Sequence, residues 1–136
     1  HKHSEAIVAA QAVATATYMA LHGSNKDQIR THISQKYRYH LNTSIDDLRK
    51  SYVFNSKASY SVPPSIVAFL ESTDYEDAVR NAVSLGGDAD TMACIAGGIA
   101  QAYYKEIPYD ISMKCNRVLD SGLRSIFRQF SEKYCR

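Results

Sequence analysis

Apolar residues recur along most of this chain at the spacing of helices rather than strands. Between Ser4 and Leu21, alanines alternate with larger side chains, and Ile7, Ala10, Ala14 and Tyr18 trace one face. That pattern predicts a helix capped by Ser4 and stopped by Gly23. Ser24-Asn25-Lys26-Asp27 resembles a capping box and opens a helix to about Tyr37, with Ile29 and Ile33 on one face. Thr43-Ser44-Ile45-Asp46 repeats the signal and opens a short helix ending near Lys50. Tyr52 to Ser61 has no helical period. It reads as a short strand at most, with a loop over Ser56 to Ser61. A helix is expected to begin at Pro63 or Pro64 and run through Glu71, since proline suits a first turn. Thr73-Asp74-Tyr75-Glu76 caps the next, which carries Ala78, Val79, Ala82, Val83 and Leu85 inward. Met92, Ile95, Ile99 and Tyr103 then fall at helical spacing. Two further helices are read over 113–119 and 123–134, with Leu123, Ile126, Phe127 and Phe130 buried. The expectation is an all-α, irregular bundle of about seven helices. No repeat or internal boundary appears, so residues 1–136 read as a single domain.

The stretch from Met92 to Tyr104 is dense in small residues, among them Ala93, Ala96, Gly97, Gly98 and Ala100. Glycine weakens a helix, so the expected return is close approach by neighbouring helices. That helix should be buried, with Cys94 as a small internal apolar group. Lys26, Arg30, Lys36 and Arg38 read as a solvated face. A formal net charge of +2 is too small to argue for nucleic acid. No segment is long and apolar enough for a membrane span. Three cysteines with neither zinc spacing nor a disulfide framework point to a reducing, cytoplasmic setting. The chain opens on His1-Lys2-His3 rather than Met, and it is read as the C-terminal part of a longer protein.

The stretch with chemistry is Gly86-Gly87-Asp88-Ala89-Asp90-Thr91. The glycines permit a tight turn. On a regular helix two carboxylates two residues apart would not share a face, but at a loop-to-helix junction they can converge. Asp88, Asp90 and Thr91 then offer hard oxygen ligands suited to Mg²⁺, Mn²⁺ or Ca²⁺. The competing reading is structural, because Asp and Thr are also good helix caps. No Ser-His-Asp or Cys-His arrangement and no Gly-rich nucleotide motif accompany them.

Gly-Gly-Asp-Ala-Asp-Thr, followed by Ile95-Ala96-Gly97, Ala102-Tyr103-Tyr104 and Ile107-Pro108, resembles the signature of the ADP-ribosylglycohydrolase family. The likeness covers nearly all of this chain and about the C-terminal half of a usual member. It implies an all-α fold of that type, present in part. It also implies that Asp88, Asp90 and Thr91 help to hold a pair of Mg²⁺ ions, with Mn²⁺ possible. His3-Ser4-Glu5 is similar to a His-Pro-Glu segment of the family near its ADP-ribose cleft, which makes His3 a candidate substrate contact. Ser59, Tyr60 and Ser61 match a family loop that lines the same cleft, although Tyr60 stands where glycine is common, and Gly87 joins them as a substrate-binding candidate. Lys105 replaces a usual glycine, a departure expected to alter only a turn.

The implied activity is hydrolysis of the glycosidic bond between ADP-ribose and a modified protein or small molecule. The implied partner is the N-terminal half of the same domain, which in the family supplies the remaining metal ligands and the proton-transfer acid. No catalytic residue is assigned within this chain, which is expected to be inactive alone. The alternative is a non-catalytic helical structural or interaction domain that keeps the family fold.

Overall fold

The computed structural model of the chain describes residues 3–55 and 57–135. His1, Lys2 and Ser56, part of the expected terminus and loop, lie outside the described residues. Eight α-helices and no strand are found among them: α1 Ser4–Leu21, α2 Lys26–Tyr37, α3 Ile45–Ser51, α4 Ala58–Leu70, α5 Tyr75–Ser84, α6 Ala89–Tyr104, α7 Tyr109–Val118 and α8 Ser121–Tyr134. Among the described residues no helix is long and apolar enough to cross a membrane. The helices fall into two compact units, His1–Glu106 and Ile107–Arg136.

In the first unit α6 is the central helix and packs against α1, α4 and α5. Its small residues allow this. A Cβ on Gly97 would sit 3.3 Å from Tyr75 Oη and 3.4 Å from Val79 Cγ2, so glycine is what lets α5 close on α6. Met92, Ile99, Phe69, Ile66, Ile29 and Ile33 fill the core between alanines. Cys94, however, is exposed rather than internal.

Three caps lie one residue later than read. Asn25 accepts from the backbone N–H of Gln28, Ser44 from that of Asp47 and Asp74 from that of Asp77. Each pair (Ser24-Asn25, Thr43-Ser44, Thr73-Asp74) offers two competent caps, and the following apolar residue selects the second by the face it must bury. Ser4 is not the cap of α1 either: His3 holds that position, with no side-chain bond.

The prolines sit inside α4 rather than at its start. Ala58 to Ser61 are already helical, with Tyr60 and Ser61 donating to the Lys57 carbonyl at 2.9 and 3.3 Å. Because proline has no N–H, Pro63 and Pro64 leave the carbonyls of Ser59 and Tyr60 without their helical donors.

The expected face of α1 is also displaced. Ala9, Ala12, Ala16 and Ala20 are buried, whereas Ile7 is 46% exposed and Tyr18 63%. Alanine lets the backbones of α1 and α6 approach, which the bulkier stripe would prevent. Val83 of α5 is likewise exposed, while Ala78, Ala82 and Leu85 point inward.

Two of the four basic residues read as solvated instead lock α2 in place. Lys26 Nζ donates to the Ser72 carbonyl and to Tyr104 Oη (2.9 Å), and it lies 5.3–5.7 Å from the ring centres of Phe69, Tyr103 and Tyr104. Arg30 donates to the Leu41 carbonyl and pairs with Glu71 at 3.2 Å. Lys105 adopts φ 65, the left-handed conformation its usual glycine would take without strain, and its ammonium donates to the Leu21 carbonyl at 2.9 Å.

The second unit holds α7 and α8. Asp120 caps α8 by accepting from Leu123 N–H at 2.8 Å. Leu123, Ile126, Phe127 and Phe130 share one face, but each is more than half exposed rather than buried. A two-helix unit has no third element to close over that face.

Candidate functional site

The site is built where α5 gives way to α6. Gly86 takes φ +72, which turns the chain at little cost. Gly87 has a different role. A Cβ there would lie 2.6 Å from Tyr52 Cε1, 2.7 Å from Tyr52 Oη and 2.9 Å from Met92 Sδ. The ring of Tyr52, just past α3, therefore occupies the space that a side chain at position 87 would need. This pins the turn that presents Asp88.

Tyr52 Oη is buried, and no described atom meets it in hydrogen-bond geometry. Burial, and after it the negative charge of Asp88, raise the pKa of this phenol; the nearby Ser61 hydroxyl pulls the other way. Tyr52, Asp88 and Ser61 thus share one neighbourhood, supplied by three separate segments.

Asp88 occupies the N-cap position of α6, yet among the described residues its side chain makes no cap hydrogen bond. Asp90, in the first turn, accepts from the N–H of Thr91 at 2.8 Å. Hydrogen bonding with the Asp88 carboxyl, and then this backbone bond, hold the Asp90 carboxyl below its ordinary range. Asp88 and Thr91, but not Asp90, line one cleft. The Thr91 side chain is exposed and caps nothing.

Asp88 and Thr91 line an open cleft of about 630 Å³ between α1, α4 and α6. Ser61 is the third polar residue of its wall. The rest is alanine, valine and isoleucine, including Ala10, Ala14, Val62 and Ile95. Among the substrate candidates, Ser61 alone lines this cleft. Ser59 and Tyr60 are exposed on the outer side of α4, and His3 is an exposed N-cap residue that does not line it. The open face of Gly87 is covered by Tyr52. Nothing in the sequence marks Tyr52 for this role. It sits in an aperiodic stretch where no spacing marks it, and its partner Gly87 lies 35 positions away.

Two carboxylates and a hydroxyl are the right donors for a hard dication, and Asp88 is free of the capping duty that would compete. The number of donors is short. Among the described residues no three His, Cys, Asp or Glu side chains gather as a metal cluster, whereas an octahedral ion takes about six oxygen ligands. The residues fit Mg²⁺ in kind and supply part of its shell.

The family model for ADP-ribosylglycohydrolase matches residues 1–135. A provisionally named ADP-ribosyl glycohydrolase of Acanthamoeba polyphaga mimivirus is 39% identical over 72 residues, which is 52% of this chain and 20% of that protein. ADP-ribosylhydrolase ARH3 of Danio rerio is 31% identical over 91 residues, 57% of this chain and 24% of its own length. The chain thus spans about a quarter or less of the curated relatives it matches. No solved structure matches significantly.

Proposed function

This chain belongs to the ADP-ribosylglycohydrolase family, and on that premise we propose that it is the C-terminal portion of a Mg²⁺-dependent hydrolase. The reaction is cleavage of the glycosidic bond in an ADP-ribosylated protein or small molecule. One observation carries the reading: the residue at the N-cap of α6 makes no side-chain cap bond and lines an open cleft beside Thr91. A carboxylate present only to stabilise the helix would accept from the first-turn amides.

Asp88, Asp90 and Thr91 would hold the ion. Bound Mg²⁺ supplies Lewis-acid polarisation and orients hydroxyls or a water. The chain's own residues prepare that position. Gly86 and Gly87 turn the backbone, Tyr52 and Met92 clamp the turn, and the positive end of α6 favours ionised carboxylates there. Because this donor set is short, the chain alone is expected to be inactive and the N-terminal half of the domain to complete the site.

The test is release of ADP-ribose from ADP-ribosylated arginine and serine peptides. The expected result is none from the chain alone, and Mg²⁺-dependent release once the remaining domain is supplied. Metal-dependent turnover by the isolated chain would refute the incomplete-site reading. Absence of activity in the completed domain would favour the non-catalytic alternative.

A further inference from the structure

The last turn of α2 and the loop after it frame an open cavity of about 380 Å³ that shares no residue with the cleft at α6. Ser34, Gln35, Arg38, His40 and Asn42 supply its polar wall, and no Asp or Glu lines it. Among the described residues none of these side chains has a hydrogen-bond or ion-pair partner. Ser34 departs from the habit of the other helices. Thr17, Ser51 and Ser65 each turn back and donate to the carbonyl four residues earlier, at 2.9, 2.9 and 2.6 Å. The Ser34 hydroxyl is buried and makes no such bond, and a buried hydroxyl is seldom left unmet. The wall is also held in place. Tyr37 Oη bonds to Thr15 (2.6 Å) and to the Gln11 carbonyl (3.1 Å), which fixes the end of α2 on α1. Leu41 is buried, and Arg30 donates to its carbonyl. Between these anchors Arg38 takes φ 57, the left-handed conformation that glycine usually fills at a helix end. A long cationic side chain is thus kept where its backbone is strained.

Independently of the activity read above, we propose that this cavity is a phosphate site, with the Arg38 guanidinium as its anchor and Ser34, Gln35, His40 and Asn42 as further donors. The ligand is a small phosphomonoester or the free phosphate ion. A wall without carboxylates does not suit a dication, and an apolar ligand would leave all of these polar groups unmet. Two influences oppose an anion here. One is the carbonyl end of α2. The other is Glu5: burial, and after it the charge of Glu5, raise the pKa of the Tyr39 phenol at the cavity wall, so that charge is felt there. The guanidinium, which can meet two phosphate oxygens at once, has to outweigh both, so binding should hinge on Arg38.

The test is calorimetric titration of the full chain with inorganic phosphate and, separately, with phenyl phosphate, at an ionic strength held constant with sodium chloride. One saturable site is expected, and Ser34→Ala and Arg38→Gly should each weaken it about tenfold or more. Neither should lower the urea midpoint of the ligand-free chain, because the first deletes an unmet hydroxyl and the second relieves the left-handed backbone. A purely structural role for these residues predicts the reverse: a lower midpoint and unchanged binding. That pattern would overturn the proposal, as would the absence of saturable binding by the wild-type chain. Phenyl phosphate that binds at least as tightly as phosphate identifies a phosphomonoester as the ligand, and weaker binding of the ester identifies the free ion.

Discussion

The two ends of α6 treat their polar groups in opposite ways. At the C-terminal end Tyr104 and Lys105 are tied into the structure. Tyr104 Oη meets Lys26 and Ser72, the Lys26 ammonium sits among three rings, and Lys105 reaches the end of α1. At the N-terminal end Asp88 caps nothing, Thr91 faces a cleft, and the buried Tyr52 hydroxyl lacks a partner in bonding geometry. Both ends are anchored by apolar packing from α4 and α5, so packing alone does not explain the contrast. Where polar groups are saturated, a helix end is a structural joint. Where they are left open beside a cleft, they are available to a ligand.

Substitutions can break that contrast at either end. The largest loss is expected for Lys26→Ala, which removes the charged donor from the Ser72 carbonyl and the Tyr104 hydroxyl, leaving them bonded to each other at 2.8 Å, and empties the ring cluster. About 2–3 kcal/mol should go, read as a lower urea midpoint. Gly87→Ala comes next, because the added methyl overlaps Tyr52 and Met92; about 1–3 kcal/mol is expected. Tyr52→Leu should recover much of that loss in the double variant, as a shorter side chain vacates the space. Lys105→Gly should be nearly neutral or stabilising by about 0.5 kcal/mol, since relief of the left-handed strain offsets one exposed hydrogen bond.

Much of the fold was legible because helical periodicity depends on local spacing. Helix type, the Gly23 stop and the junction before Asp88 follow from it. The errors have physical origins. Tandem cap residues left the register of three helices open by one position, and burial chose the second. For α1, the sequence contained two apolar stripes. The larger one looks like the packing face, but the alanine stripe is the one that lets α6 approach. Its rejected partner is the face left open at the cleft. Lys26 and Arg30 looked like solvent-facing charges because their acceptors, Ser72, Tyr104, Leu41 and Glu71, lie on other elements. The Asp88-Asp90-Thr91 constellation was readable as a motif. The clamp that positions it was not, because Tyr52 and Gly87 meet only in three dimensions.

The central claim is that Asp88 serves a ligand and not the helix. Equilibrium urea unfolding of Asp88→Ala against the wild-type chain tests it most directly. With no cap bond to lose, only a favourable interaction with the helix dipole is forfeited, leaving stability within about 0.5 kcal/mol. A loss of about 1 kcal/mol or more, the usual cost of deleting a working N-cap, would contradict the account and return Asp88 to a structural role.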